Sequence, residues 1–402
     1  MFSNSLVSRF NIQFDSIAFA RSLLIIHTGG LFFSPPLTNL AEFLLWVSVL
    51  GFSALRLRFI EFFQSRVGRF FLIFLLFLLV GVGIATLRGF ADYAQVWSWR
   101  KIFIFPIAAI LFFCDDMARW RFAGWYVVFA AGFSIYAIWA ALSGGSGDVV
   151  RNSSSQSVLF ALGVVAAGFS ALNTNSRMLR FTFALCLVVC FAGLVAVTSG
   201  RSGYLGLVVM IMALPIFLAS RYSASLKLVV AALLVALSSV ALYLSPIANS
   251  RIQQAISEFH APLESGQDTS IGLRKIFWVN TLDMVPQYWL IGAGLSGFGD
   301  AYTKHMSVKA DKKFIPTIDP HNQFLRILVE QGVIGLGVFV ALLLVLLQMG
   351  TFSTSTALGA CALLAWVATS FFSAHFSTFV EGRLIWVWLG VFLASQSART
   401  RL

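Results

Sequence analysis

Long apolar stretches alternate with short polar connections along most of the chain. A helix that crosses a bilayer needs about 20 apolar residues at about 1.5 Å of rise each. The pattern predicts twelve such segments, near 12–33, 38–56, 68–89, 99–114, 121–143, 155–172, 178–198, 202–220, 225–245, 322–349, 355–374 and 383–398. The first carries Asp15, Arg21 and His27, and the fourth is short and contains Pro106. Residues 1–245 therefore form a block of nine helices and 321–402 a block of three, with a loop domain at 246–320 between them. In that domain Asp268-Thr269-Ser270 resembles a helix start, and Ile271 to Val285 predict an amphipathic helix that stops before Pro286. Tyr288-Trp289-Leu290-Ile291 suits a membrane interface. The expected fold is an all-α polytopic membrane protein of about twelve transmembrane helices with one large loop domain.

Composition supports this reading. Hydrophobic residues make up 59% and charged residues 11%, against roughly 45–50% and about 25% in soluble globules. Too few polar side chains remain to cover a water-facing surface. The net charge of +12 has a topological reading, because basic residues collect in cytoplasmic loops; no nucleic acid is called for. Arg9, Arg56, Arg58, Arg66, Arg69, Arg119, Arg121, Arg177, Arg180, Arg221, Lys227, Arg399 and Arg401 fall on one side of the predicted topology. That bias places both termini in the cytoplasm and the 246–320 domain outside. Arg88, Arg100, Lys101, Arg151, Arg201 and Arg383 then face outward, against the rule. The outer domain itself balances seven basic residues, including Lys309, Lys312 and Lys313, against seven acidic ones, including Glu264 and Asp268, so it is not a polyanion-binding tail. Cys114, Cys186, Cys190 and Cys361 lie in or beside apolar runs without a CxxC pair and are read as packing residues. The N-terminus, interrupted by Asp15 and Arg21, does not read as a cleavable signal peptide.

Three segments could carry chemistry. Thr198-Ser199-Gly200-Arg201-Ser202-Gly203-Tyr204 forms the hairpin between the seventh and eighth spans. Arg201 falls at the start of a helix, where free amides and the dipole favour anions and a guanidinium can grip phosphate through two hydrogen bonds. Gly272-Leu273-Arg274-Lys275-Ile276-Phe277-Trp278 places Arg274 and Trp278 on one helical face. Asp319-Pro320-His321-Asn322 reads as a helix N-terminus, with Asp319 as N-cap, Pro320 first and His321 in the first turn, where the dipole keeps imidazole neutral. A neutral histidine can accept a proton from a hydroxyl. Asn322, Arg326 and Glu330 continue as a polar stripe, and Arg326 and Glu330 are expected to pair. Arg88, Arg100 and Lys101 could widen an anion-binding patch, although anchoring at the membrane interface explains them equally well.

Other signals carry little. Gly292-x-Gly294-x-x-Gly297 lacks the βαβ setting of a dinucleotide site and reads as a turn-rich loop. Asp115-Asp116 has no partner histidine, no HxxxH or HExxH occurs, and no phosphate-binding Walker motif is present. No metal or cofactor is expected.

Together, Thr198-Ser199-Gly200-Arg201-Ser202-Gly203, Gly272-Leu273-Arg274 with Trp278, and Pro320-His321-Asn322-Gln323-Phe324-Leu325 running on to Glu330-Gln331-Gly332-Val333-Ile334-Gly335 resemble the O-antigen ligase family of bacterial envelope proteins. Leu290 to Gly299 is similar to the family's glycine-rich loop. The resemblance covers roughly residues 190–340. It implies a metal-independent, GT-C-like membrane glycosyltransferase that takes a glycan from undecaprenyl pyrophosphate on the periplasmic side of the inner membrane. It further implies that Arg201 and Arg274 hold the pyrophosphate and that His321 assists the acceptor hydroxyl. Lipid A–core oligosaccharide is the expected acceptor. An O-antigen polymerase or protein O-oligosaccharyltransferase uses the same donor class. A transporter or flippase is the rival of a different kind, disfavoured because polar groups gather at one outer face and few ionisable residues lie within the spans.

Overall fold

The computed structural model describes residues 15–217, 223–262, 269–308, 315–350 and 353–395. Arg9, Arg221, Glu264, Asp268, Lys309, Lys312, Lys313, Arg399 and Arg401 lie outside the described residues. The described chain is helical, in the order α1 (Ser16–Phe33), α2 (Pro35–Gly51), α3 (Ser53–Gln64), α4 (Arg66–Arg88), α5 (Tyr93–Ser98), α6 (Ile104–Leu111), α7 (Asp116–Leu142), α8 (Ser153–Asn173) and α9 (Arg177–Ala196). It continues with α10 (Arg201–Phe217), α11 (Ala224–Leu244), α12 (Pro246–His260), α13 (Ser270–Tyr288), α14 (Phe298–Ser307), α15 (Gln323–Met349), α16 (Thr354–Ser370) and α17 (Glu381–Phe392).

Among the described residues seven helices are long and apolar enough to cross a membrane: α1, α4, α7, α8, α9, α11 and α15. The count is eight if α2 and α3, bent by 94°, make one span. α10 and α16 are apolar but shorter. The predicted second span ends at this bend, so Arg56 and Arg58 lie on α3 rather than in a loop. The predicted fourth and twelfth spans are the short helices α6 and α17, every residue of which is buried. An apolar run of this length suits a core helix better than a bilayer crossing. The two pack on each other, with the Phe105 and Trp386 rings 5.5 Å apart. Of the four cysteines, Cys190 and Cys361 are buried, whereas Cys114 is exposed at a left-handed turn rather than packed.

Burial follows the solvent. α8 is enclosed by α7, α9, α10 and α16 and is buried along most of its length. α4 turns Leu72, Ile73, Leu76, Leu79 and Val80 outward, and α11 does the same with Leu228, Val229, Leu233 and Leu237. Continuous apolar outer faces of this extent belong to a multi-pass membrane protein, for which lipid is the solvent. Charges inside the bundle are paired. Arg383 on α17 donates to Glu42 (2.9 Å) and Asn39 (3.0 Å) on α2. Buried Arg119 meets Asp116 and Ser355, and Arg21 meets Asp115 at 2.8 Å.

α13 and α14 carry a second apolar cluster, built from Phe277, Met284, Tyr288, Phe298, Tyr302 and Met306, which leans on Phe90 and on Val329 of α15. α13 starts at Thr269, whose side chain caps Gly272 N, and runs on through Pro286 to Tyr288 instead of stopping before the proline. Its buried positions 272, 276, 280, 284 and 288 form one stripe at four-residue spacing.

The turn-rich segment after α13 repairs a break in α15. Gly332 adopts φ 67°, ψ −175° inside that helix. The carbonyls of Val329 and Glu330, freed by the break, accept from Ala293 N (2.7 Å) and Gly294 N (2.8 Å). Val333 N donates in turn to Trp289 O at 2.7 Å. A broken helix inside a packed protein needs partners for its freed polar groups, and residues 289–294 supply them here. A Cβ on Gly332 would lie 2.1 Å from Leu290 O, and one on Gly294 2.2 Å from Ala85 N.

Candidate functional site

Arg201 is the first residue of α10, as its hairpin predicts. Two glycines bring that turn against the start of α8: a Cβ on Gly200 would sit 2.3 Å from Ser153 O, and one on Gly203 2.4 Å from Ser157 O. Ser199 N donates to Ser153 Oγ (2.9 Å) and Gly203 N to Ser157 Oγ (3.0 Å), which fixes the turn. The guanidinium of Arg201 donates from Nε to Arg251 O (3.1 Å) and from both Nη atoms to Glu258 (3.4 Å each). Glu258 also accepts from Ile271 N, the first turn of α13, at 3.0 Å. Burial alone would push the Glu258 carboxyl up; the Ile271 amide and the Arg201 guanidinium outweigh it and hold the group below the usual range.

Arg274 stands one turn into α13. Its Nη1 donates to Ser270 Oγ at 3.0 Å, while Nε is buried with no hydrogen-bond partner. Burial lowers its pKa, the positive charge of Arg201 lowers it further, and Glu258 and Asp319 act against both. Arg201 and Arg274, from segments 73 positions apart, thus line one cavity of about 460 Å³, called the two-arginine cavity after them, together with Ser199, Gln254, Thr369 and a third arginine, Arg251. A half-buried guanidinium with an unmet donor beside a second guanidinium favours an oxyanion.

His321 occupies the loop before α15 with φ 53°. The cap differs from the predicted one. Asn322 is the N-cap, its side chain accepting from Phe324 N and Leu325 N at 3.0 Å each. Asp319 instead accepts from His321 N at 2.7 Å and closes a turn around Pro320. The histidine therefore precedes the helix rather than sitting in its first turn. Its ring stacks on Phe277 of α13 at 5.9 Å and 25°, three residues on from Arg274. Burial holds the imidazole pKa below its ordinary value; Asp319 opposes this and Arg274 adds to it. Neutral imidazole follows from burial, where the sequence suggested the helix dipole. His321 does not itself line the two-arginine cavity.

Arg326 and Glu330 pair at 3.1 Å, as the stripe predicts. Arg326 also donates to Gln95 Oε1 (2.9 Å) and to Ser377 Oγ, and lies 3.7 Å from Asp319. It thereby ties the His321 loop to α5 and to the connection between α16 and α17. Arg88, Arg100 and Lys101 do not join the two-arginine cavity. Arg88 lies over the Tyr288 ring, Arg100 over Trp97 with Glu42 at 3.9 Å, and buried Lys101 donates to Thr378 O at 2.8 Å. Glu258, Arg251, Gln254 and Ser270 line or brace the cavity and were not singled out from sequence. The faint signal for Glu258 is its place seven residues after Arg251 on one face of a helix.

The family model described as O-Antigen ligase matches residues 186–340. An uncharacterized protein of Haemophilus influenzae is 27% identical over 158 residues, which are 38% of this chain and 38% of the relative. The chain thus aligns with well under half of that relative's length. Arg201, Glu258, Arg274 and His321 all fall inside the matched stretch, so the part of this membrane protein that is similar to the O-antigen ligase family is the part that builds the cavity and the histidine loop.

Proposed function

We propose that the protein is an O-antigen ligase of the bacterial inner membrane. It transfers a glycan from undecaprenyl pyrophosphate to lipid A–core oligosaccharide on the periplasmic side, with both termini cytoplasmic. The observation that carries this reading is the pairing of Arg201 and Arg274 in one cavity, with the Arg274 Nε buried and unmet. Members of the family are membrane glycosyltransferase-like enzymes, and a lipid-linked diphosphate is an anion that two adjacent guanidinium groups can hold.

The chemistry follows from the charges. The acceptor hydroxyl oxygen attacks the anomeric carbon and forms the new glycosidic bond. The bond from that carbon to the pyrophosphate oxygen breaks, and its electron pair leaves with the pyrophosphate. Negative charge grows on the leaving oxygens, where Arg201 and Arg274 stabilise it most strongly in the transition state. Neutral His321 takes the hydroxyl proton. Attack opposite to departure inverts the anomeric centre. Glu258 keeps Arg201 in place while the cavity is empty; the diphosphate competes for the same guanidinium.

Purified protein in lipid, supplied with a defined undecaprenyl-pyrophosphate glycan and rough lipopolysaccharide, tests the proposal. Arg201→Ala and Arg274→Ala should each lower transfer by roughly 10²–10³-fold with expression intact. Near-wild-type transfer by either variant refutes the diphosphate assignment. Growth of the lipid-linked glycan without transfer to lipopolysaccharide would identify a polymerase instead.

A further inference from the structure

A second cavity, of about 470 Å³, is lined in part by the residues that lead into the His321 loop and shares no lining residue with the two-arginine cavity. Asp92, Gln95, Ser296, Asp300, Thr303 and Thr317 supply its polar wall, and among the described residues no basic side chain lines it. Ser296 is the informative member. It is only 2% exposed, it holds a left-handed φ of 63°, and its Oγ has no hydrogen-bond partner. A buried hydroxyl without a partner is costly, and so is a left-handed non-glycine residue. Both costs fall on one side chain of this cavity.

The cavity is wired to the histidine loop. Gln95 Nε2 donates to Asp92 Oδ2 (2.9 Å), and Gln95 Oε1 accepts from Arg326, which faces Asp319. Asp319 accepts from His321 N, and Thr317 Oγ1 donates to Asp319 O at 2.8 Å. The wall residues Pro316, Thr317 and Ile318 immediately precede this turn.

We propose that this cavity is a binding subsite for a neutral sugar unit of the acceptor glycan, a reading that rests on the transferase function proposed above. Carboxylates accept hydrogen bonds from sugar hydroxyls, and Ser296, Thr303 and Thr317 both donate and accept. Pro316 and Ile318 offer an apolar wall to the C–H face of a ring. Two carboxylates in the wall disfavour phosphate, so charge sorts donor diphosphate and acceptor sugar into separate cavities.

The test uses the full chain in lipid nanodiscs and titrates delipidated core oligosaccharide calorimetrically. Ser296→Gly removes the hydroxyl and tolerates the left-handed backbone; Asp300→Asn removes one charge and keeps the shape. Each should weaken oligosaccharide binding roughly tenfold and leave the affinity for undecaprenyl pyrophosphate unchanged. In transfer assays the half-saturating acceptor concentration should rise by the same factor and that of the donor should not. Unchanged oligosaccharide affinity in both variants overturns the subsite, as does equal loss of both ligands. Variant-sensitive oligosaccharide binding by a wild-type protein that transfers no glycan would keep the subsite and sink the transferase reading.

Discussion

His321 gathers its chemistry from neighbours rather than from position in a helix. Asp319 fixes its backbone, Phe277 backs its ring, and burial keeps the imidazole neutral. Transfer should therefore follow a single ionisation, active in the neutral form. The rate should fall as pH drops, with a midpoint below the ordinary histidine value of about 6.5, because the folded-state pKa is depressed. The stability contributed by the buried neutral ring runs the same way: present above the unfolded pKa and lost as pH falls. His321→Ala should slow transfer by roughly 10²–10⁴-fold, abolish that limb and spare donor binding. A pH–rate profile of wild type and variant checks all three; equal loss of donor affinity would mark the residue as a prop. Arg201, Arg274 and His321 stand out in the sequence because each sits in a short motif; the structure brings the two arginines into one cavity and leaves His321 outside its lining. Glu258 does not stand out, since its role appears only when α12 is laid beside α10 and α13. The capping residue was misplaced because Asp-Pro imitates a helix start, while Asn322 two positions later satisfies the free amides.

Among the helices, most of the long ones were readable from apolar length alone. α6 and α17 were misread for a physical reason: a run of apolar residues tells burial but not whether lipid or protein does the burying. The bend between α2 and α3 falls at Phe52 with no proline to announce it. The break in α15 is written in Gly332, although its partner, the loop from Trp289 to Leu295, cannot be inferred from the glycine. Gly332→Ala should destabilise the protein by at least about 1–3 kcal/mol from the left-handed backbone, and more from the clash with Leu290 O. Thermal unfolding in detergent measures this. A wild-type melting temperature would show that α15 can close over the break unaided.

Across the described residues, several basic side chains hold paired structural roles, while Arg201 and Arg274 share a cavity in which the Arg274 Nε has no hydrogen-bond partner. Arg383, Arg119 and Arg326 spend their charge on Glu42, Asp116 and Glu330. In the proposed function Arg201 and Arg274 would supply the positive charge at the departing diphosphate from the chain itself, so chelators should leave the transfer rate unchanged. A loss reversed by added divalent cation, followed in the same assay, would contradict that assignment. The dovetail between residues 289–294 and 329–333 has a practical consequence for anyone exchanging parts with a relative. Residues 289–294 cannot be grafted by their sequence ends alone: a donor loop seated on a foreign α15 would leave amides and carbonyls unmatched inside the protein. Functional chimeras are expected only when both halves of the joint travel together.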